Sequence, residues 1–175
     1  MPELKFSKSQ MVINFLWSAE HESMKGLVHP AELVRANPLP TAVQHASPTI
    51  VYPNVKTVAD MFDQVGAAIP VDNPGDLVTL QAATCMMGTY FGAMKGTVDW
   101  MEDRGVAKKS AQTFVSMLAQ SLGNQGAEAN GDFEECLAEQ TPGGLNEKVL
   151  QHLCNKGFIE GLEGALSLAG NEPNK

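Results

Sequence analysis

The residues best suited to chemistry in this sequence are Thr141-Pro142-Gly143-Gly144-Leu145-Asn146. A Pro-Gly-Gly turn that opens straight into a helix presents backbone N–H groups beside the positive end of the helix dipole. That arrangement holds a carboxylate or a phosphate. Thr141 adds a hydroxyl donor, and Asn146 adds an amide able to donate to, or orient, a reacting nitrogen or oxygen. Asn146 precedes Glu147 and suits a helix N-cap equally well. For Gly143 and Gly144 the plainer reading is a tight turn without a ligand. Nowhere does the sequence contain Gly-x-Gly-x-x-Gly or a Walker-type loop, so no standard nucleotide fingerprint is present.

The other chemistry-bearing residues are less organised. Cys85, Cys136 and Cys154 are odd in number and share no CxxC spacing, which points to buried thiols in a reducing compartment and away from disulfides or zinc. Cys85 has no adjacent histidine or basic residue to lower its pKa, so a thiol enzyme is a weak reading. Glu20-His21-Glu22 with His29 reads as a solvated helix face and not a metal cluster, because adjacent residues on a helix point different ways.

Whatever positions these residues is a buried, globular chain. Its 175 residues are 43% hydrophobic and 18% charged, enough for one domain or two small ones. The low charge fraction suits a surface partly covered by a partner. A net charge of −8, with no basic cluster beyond Lys108-Lys109, argues against nucleic acid and anionic membranes. Residues 11–17 are apolar and follow Lys5 and Lys8, but the run is short and contains Asn14, a poor signal peptide. Residues 77–94 carry no charge, yet Thr79, Gln81, Thr84, Thr89 and several glycines suit an occluded helix better than a membrane span. The expected location is the cytoplasm.

The first part of the chain alternates strand and helix signals. Residues 11–17 form a nearly continuous apolar run, expected as a strand covered on both faces. Residues 18–28 form a weakly amphipathic helix capped by Ser18, with Glu20 and Glu22 near its positive end. Strands are expected at 32–36, 48–52 and 67–71, with a helix over 55–65. The order β-α-β-β-α-β suits half of a three-layer α/β domain with an edge that something should cover.

Asp72-Asn73-Pro74-Gly75 is the clearest boundary, and beyond it every signal is helical. One long helix is expected over 76–103. Gly88, Gly92 and Gly96 fall at i, i+4 and i+8 along it. Each glycine costs about 1 kcal/mol relative to alanine, so a row of three makes sense against a second helix backbone across a dimer interface. Further helices are expected at 109–123, from Asp132 with a capping-box spacing to Glu135, at 147–156 and at 158–169. The expected organisation is α/β plus all-α. A partial Rossmann-like half over 1–72 precedes a helical dimerisation and substrate-binding domain over 73–170 and a disordered tail over 171–175.

In that order the segments resemble the pyrroline-5-carboxylate reductase family along most of the chain. Arg35-Ala36-Asn37-Pro38-Leu39-Pro40-Thr41-Ala42 is similar to the family's Arg-x-Met-Pro-Asn-Thr-Pro-Ala. Asp103-Arg104-Gly105-Val106 resembles its Ala-Gly-Val, and Thr141-Pro142-Gly143-Gly144-Leu145-Asn146 its Ser-Pro-Gly-Gly-Thr-Thr. Lys156-Gly157-Phe158-Ile159 resembles its Gly-Gly-Phe-Arg. The resemblance implies an NAD(P)H-dependent reductase acting on a C=N or C=O bond of a small carboxylated substrate. Thr141, Gly143, Gly144 and Leu145 would bind that substrate, with Asn146 at the catalytic position and Asn37 and Pro38 beside the cofactor.

The departures bear on activity. Asn146 stands where the family has the Thr that lies against the substrate imine, and Leu145 is bulkier than the usual Thr or Ala. Thr84-Cys85-Met86-Met87-Gly88-Thr89-Tyr90 replaces Ser-Gly-Ser-Gly-Pro-Ala-Tyr. Thr84, Met87 and Tyr90 are read as packing residues before pocket residues. The chain starts after the family's Gly-rich cofactor turn, so it is expected to bind cofactor poorly alone, as a fragment of a longer reductase or a natural short form. The rival expectation is a non-catalytic dimerisation module.

Overall fold

The computed structural model describes residues 4–171, and the chain divides into two compact units. One comprises the chain up to Ala83 together with its end from Leu168; the other is Thr84–Ser167. The division falls later than the Asp72-Asn73-Pro74-Gly75 turn.

The first unit holds a four-stranded mixed sheet in the order β1-β2-β3-β4. Its strands are β1 Met11–Asn14, β2 Glu32–Asn37, β3 Ser47–Tyr52 and β4 Gly66–Pro70. β1 and β2 are parallel, β2 and β3 antiparallel, β3 and β4 parallel. Helix α1, His21–Val28, links the first pair and α2, Lys56–Phe62, the last. The β-α-β-β-α-β order is therefore the observed one.

β2 is buried on both faces from Leu33 to Asn37. Because strand side chains alternate, Val34 and Ala36 point to one side and Leu33, Arg35 and Asn37 to the other. Val34 and Ala36 pack with Val51, Val58 and Phe62 into the core. Each large member contributes about 1.5–3 kcal/mol by leaving water. Leu77 and Gln81 are the buried residues of α3, Pro74–Thr84, with Ala82.

Several expected elements are corrected. The strand over 11–17 ends at Asn14, and Phe15, Leu16 and Trp17 are exposed. The Asn14 side chain accepts the Leu16 N–H at 2.9 Å, an Asx-type bond that turns the chain out of the sheet. The first helix starts at His21, not after Ser18, and Glu20 at its head makes no side-chain cap. The helix over 55–65 is α2 followed by a 3-10 turn, Asp63–Val65.

The long helix expected over 76–103 is two, α3 and α4, Met86–Glu102. They are interrupted at Cys85, whose ψ of −13° tightens the turn. Pro74 opens α3 because Asn73 accepts the Gly75 N–H at 2.8 Å, and proline suits a first helical position.

In the second unit α4 packs on α5, Lys108–Glu128, which runs past the expected end at 123. Ala111 and Val115 are its buried apolar residues. α6, Phe133–Ala138, starts as expected, with the Asp132 carboxylate accepting the Glu135 N–H at 3.0 Å. α7, Leu145–Cys154, and α8, Phe158–Asn171, meet at Gly157, whose φ is +79°; α8 belongs to this unit up to Ser167. The tail expected over 171–175 lies outside the described residues from 172 onward. Among the described residues no helix is long and apolar enough to cross a membrane.

Candidate functional site

Thr141, Gly143, Gly144, Leu145 and Asn146 form a single turn at the head of α7. The Gly144 N–H donates to the Thr141 carbonyl at 2.8 Å, Pro142 fixes the second position, and Gly143 takes φ +70°. These are the marks of a type II turn. The third turn position requires positive φ, which glycine supplies at little cost. A Cβ on Gly144 would lie 2.7 Å from the Thr141 carbonyl oxygen, so both glycines answer to the backbone.

Gly144 is the N-cap and Leu145 the first helical residue. The N-cap reading of Asn146 is therefore overturned: α7 begins before the expected residue 147, and Asn146 occupies the second helical position with its side chain exposed.

The turn carries its own anion. The Gly143 N–H donates to the Glu147 carboxylate, which lies one turn into the helix, where negative charge is favoured. With Gly144 N–H bonded to Thr141, two of the three expected anion-holding amides have internal acceptors. The N–H groups of Leu145 and Asn146 belong to the first helical turn and have no intrahelical acceptor. Leu145 is 80% exposed.

Asn37 and Pro38 lie in the other unit, at the end of β2. Asn37 is buried, and its side-chain oxygen accepts from Gln81 Nε2 at 3.0 Å. The following segment is held by the Leu39 N–H donating to Ser47 Oγ at 2.8 Å. Both residues sit at the carboxyl end of a parallel strand pair, the edge where open α/β sheets receive ligands.

The sheet unit also contains a cavity of about 420 Å³, lined by Glu20, His21, Glu22, Arg35, Tyr52, Pro74, Leu77 and Val78. His21, expected on a solvated face, is partly buried, and its ring meets Tyr52 edge-on at 4.9 Å between centroids. Arg35 stands in an apolar strand between Val34 and Ala36, and that position is the available signal that its charge would be buried.

Burial lowers the His21 pKa below the usual value; Glu22 opposes the shift, and Lys25 and Arg35 add to it. The unfolded chain takes up this proton near pH ~6.5, before the folded state does. The stability contribution is thus complete above that pH and falls as pH drops from there toward the folded-state pKa. Urea midpoints measured at about pH 7.5 and 5.5 are expected to fall less for His21→Phe than for the unsubstituted protein. Equal falls would refute the assignment.

No protein-family model matches the chain, and no curated protein matches it. Solved structures do. A pyrroline-5-carboxylate reductase from Coxiella burnetii superposes with a TM-score of 0.79 at 19% identity, covering 92% of this chain and 63% of the reductase. The Plasmodium falciparum pyrroline carboxylate reductase with NADP bound gives 0.77 at 15% identity, covering 95% of this chain and 71% of the reductase. The 1-pyrroline-5-carboxylate reductase of Streptococcus pyogenes gives 0.73 at 16%, covering 98% and 69%. The chain thus has the fold of these reductases over 63% of the first one's length, a partial Rossmann-like half with a helical C-terminal unit.

Proposed function

We propose that this chain is part of an NAD(P)H-dependent oxidoreductase that reduces a C=N or C=O bond of a small carboxylated substrate. The observation that carries this reading is the type II Pro-Gly-Gly turn at the head of α7, in a chain with the fold of pyrroline-5-carboxylate reductases. A bound nicotinamide would supply a hydride to the substrate carbon. Asn37 and Pro38, at the strand ends, fit the cofactor side; the pyrophosphate would need residues other than these, since the sequence contains no Gly-x-Gly-x-x-Gly turn.

The substrate carboxylate would take the N–H groups of Leu145 and Asn146, with the Thr141 hydroxyl as a further donor. It would reach the Gly143 N–H by displacing Glu147. The Asn146 amide would orient the reacting nitrogen or oxygen. An amide is not an acid at neutral pH, so water would deliver the proton. The active species would be a cytoplasmic homodimer formed through the Gly88/Gly92/Gly96 face.

A second reading is favoured by one observation: the Glu147 carboxylate already sits on the turn. In that reading the turn only shapes the start of α7, and the chain is a dimerisation module without catalysis.

Glu147→Ala separates the two. A ligand that must displace an internal competitor binds in proportion to the open fraction. A charge-assisted hydrogen bond of about 1.5 kcal/mol would keep that fraction near one in ten. Acetate is therefore expected to bind the turn about tenfold more tightly in Glu147→Ala, read from the Leu145 and Asn146 amide resonances. If millimolar acetate moves neither amide in either protein, the substrate reading falls and the dimerisation module stands. The chain alone is expected to bind NADPH weakly; micromolar affinity would overturn that part.

A further inference from the structure

The buried guanidinium of Arg35 is the least explained group in the molecule. Arg35 is 2% exposed, and arginine stays charged in proteins. A buried charge is normally paired with an opposite charge. Among the described residues none forms an ion pair with it. Its Nη2 donates to the Trp17 backbone carbonyl, and its Nε is buried without an acceptor. The two nearby carboxylates are engaged elsewhere: Glu20 accepts the Ser23 hydroxyl at 2.9 Å, and Glu22 lies 3.8 Å from Lys25 Nζ.

Two other buried side-chain nitrogens lack partners among the described residues, His21 Nδ1 and Asn14 Nδ2. Both belong to the same place. His21 shares the cavity wall with Arg35, and Asn14 is Arg35's register partner across β1 and β2. The Asn14 oxygen is already committed to the Leu16 N–H, which leaves its nitrogen as a donor. Arginine and amide nitrogens can only donate, and the histidine can in its Nδ1–H form. Three orphaned nitrogens of this kind, one of them cationic, call for an acceptor with negative charge.

We propose that this cavity is a binding site for a small organic carboxylate, held by the Arg35 guanidinium beside His21 in its wall. Its body lies against Tyr52, Leu77 and Val78. The volume, about 420 Å³, falls in the range of small-molecule pockets. A carboxylate monoanion fits better than a phosphate dianion because one guanidinium supplies the only full positive charge in the lining, while Glu20 and Glu22 stand on its exposed rim and repel a second negative charge. The walls supplied by Pro74, Leu77 and Val78 favour an apolar body. This site does not depend on the function proposed for the α7 turn, and its residues all belong to the sheet unit.

The sequence has two arginines, and this allows a direct test on the unmodified chain. Arg104 is exposed and lies over the Trp100 ring at 4.1 Å, so its Nε–H resonance is an internal control. Sodium benzoate is titrated while both arginine Nε–H resonances are followed by NMR, and benzamide and inorganic phosphate are titrated in parallel. The expected result is a saturable shift at Arg35 alone, with a midpoint at least tenfold lower for benzoate than for benzamide or phosphate. Val78→Trp, at a partly exposed helix position, fills the cavity without touching the guanidinium and is expected to raise that midpoint tenfold or more. His21→Phe keeps the edge contact to Tyr52 and removes the donor, with an expected threefold loss. Absence of a shift, equal shifts at both arginines, equal binding of benzamide, tighter binding of phosphate, or unchanged binding in Val78→Trp would each overturn the proposal.

Discussion

Gly92→Leu is expected to turn the proposed dimer into a monomer, read by sedimentation equilibrium as a dissociation constant raised at least about a hundredfold, the loss typical of a central interface position. Gly88, Gly92 and Gly96 sit along α4 with no atom within 4 Å of an added Cβ among the described residues. Among the described residues, then, no neighbouring atom requires glycine there. The unit that contains them is also short of core: Ala111 and Val115 are buried, whereas Phe91, Phe114 and Met117 are each about 60% exposed or more. Exposed apolar side chains of this kind suit a protein interface, and the partner proposed for it is a second copy of the chain, because backbones approach closely only where side chains are absent. The substitution separates the readings by sign. Leucine favours a helix over glycine by about 0.8 kcal/mol, so without a partner Gly92→Leu should stabilise α4. A monomeric wild type, or a variant as tightly dimeric as the wild type, would remove the interface from this face.

The parts of this fold that are legible in the sequence are those decided by short-range rules. A short run stopped by Asn37-Pro38 marks the strand around Val34, a β-branched run between Pro48 and Pro53 marks the one around Val51, and Asp132 caps α6 because its carboxylate needs only the amide three residues on. What the sequence does not reveal is decided by contacts from elsewhere. Asn14 ends β1 by turning its side chain onto its own backbone, a choice invisible in an otherwise apolar run. His21, flanked by two glutamates, reads as solvent-facing until Tyr52, far along the chain, supplies a ring against it. Glu147 looks like an ordinary first-turn acid, and only the left-handed Gly143 brings an N–H within its reach. The candidate site follows the same division. The Pro-Gly-Gly turn is readable as a turn, while the occupancy of its amides by the chain itself depends on where α7 starts, at Leu145 and so ahead of the residue the periodicity suggests.

Gly66→Ala is expected to cost at least about 3 kcal/mol, through overpacking together with a backbone conformation closed to alanine. Gly66 opens β4 with φ +147°, and an added Cβ would lie 2.1 Å from the Ser47 carbonyl oxygen and 2.5 Å from its nitrogen. Both contacts are with backbone, so no rotamer change relieves them. Ser47 is the register partner of Gly66 and is itself buried, with its hydroxyl accepting the Leu39 N–H and lying 3.2 Å from the Thr49 hydroxyl. Pushing Ser47 aside therefore disturbs β3 and loosens the segment that follows Asn37 and Pro38, coupling a strand-packing defect to the proposed cofactor edge. A domain is held by only about 5–15 kcal/mol in total, so the melting temperature should fall by about 10 °C or more, followed by circular dichroism. Gly26→Ala is the control: it lies within α1, nothing is within 4 Å of its added Cβ, and the change should be neutral or stabilising by up to about 1 kcal/mol. If both variants melt together with the unsubstituted chain, β4 is not held against Ser47 in solution, and the sheet edge that carries Asn37 must be supported in some other way.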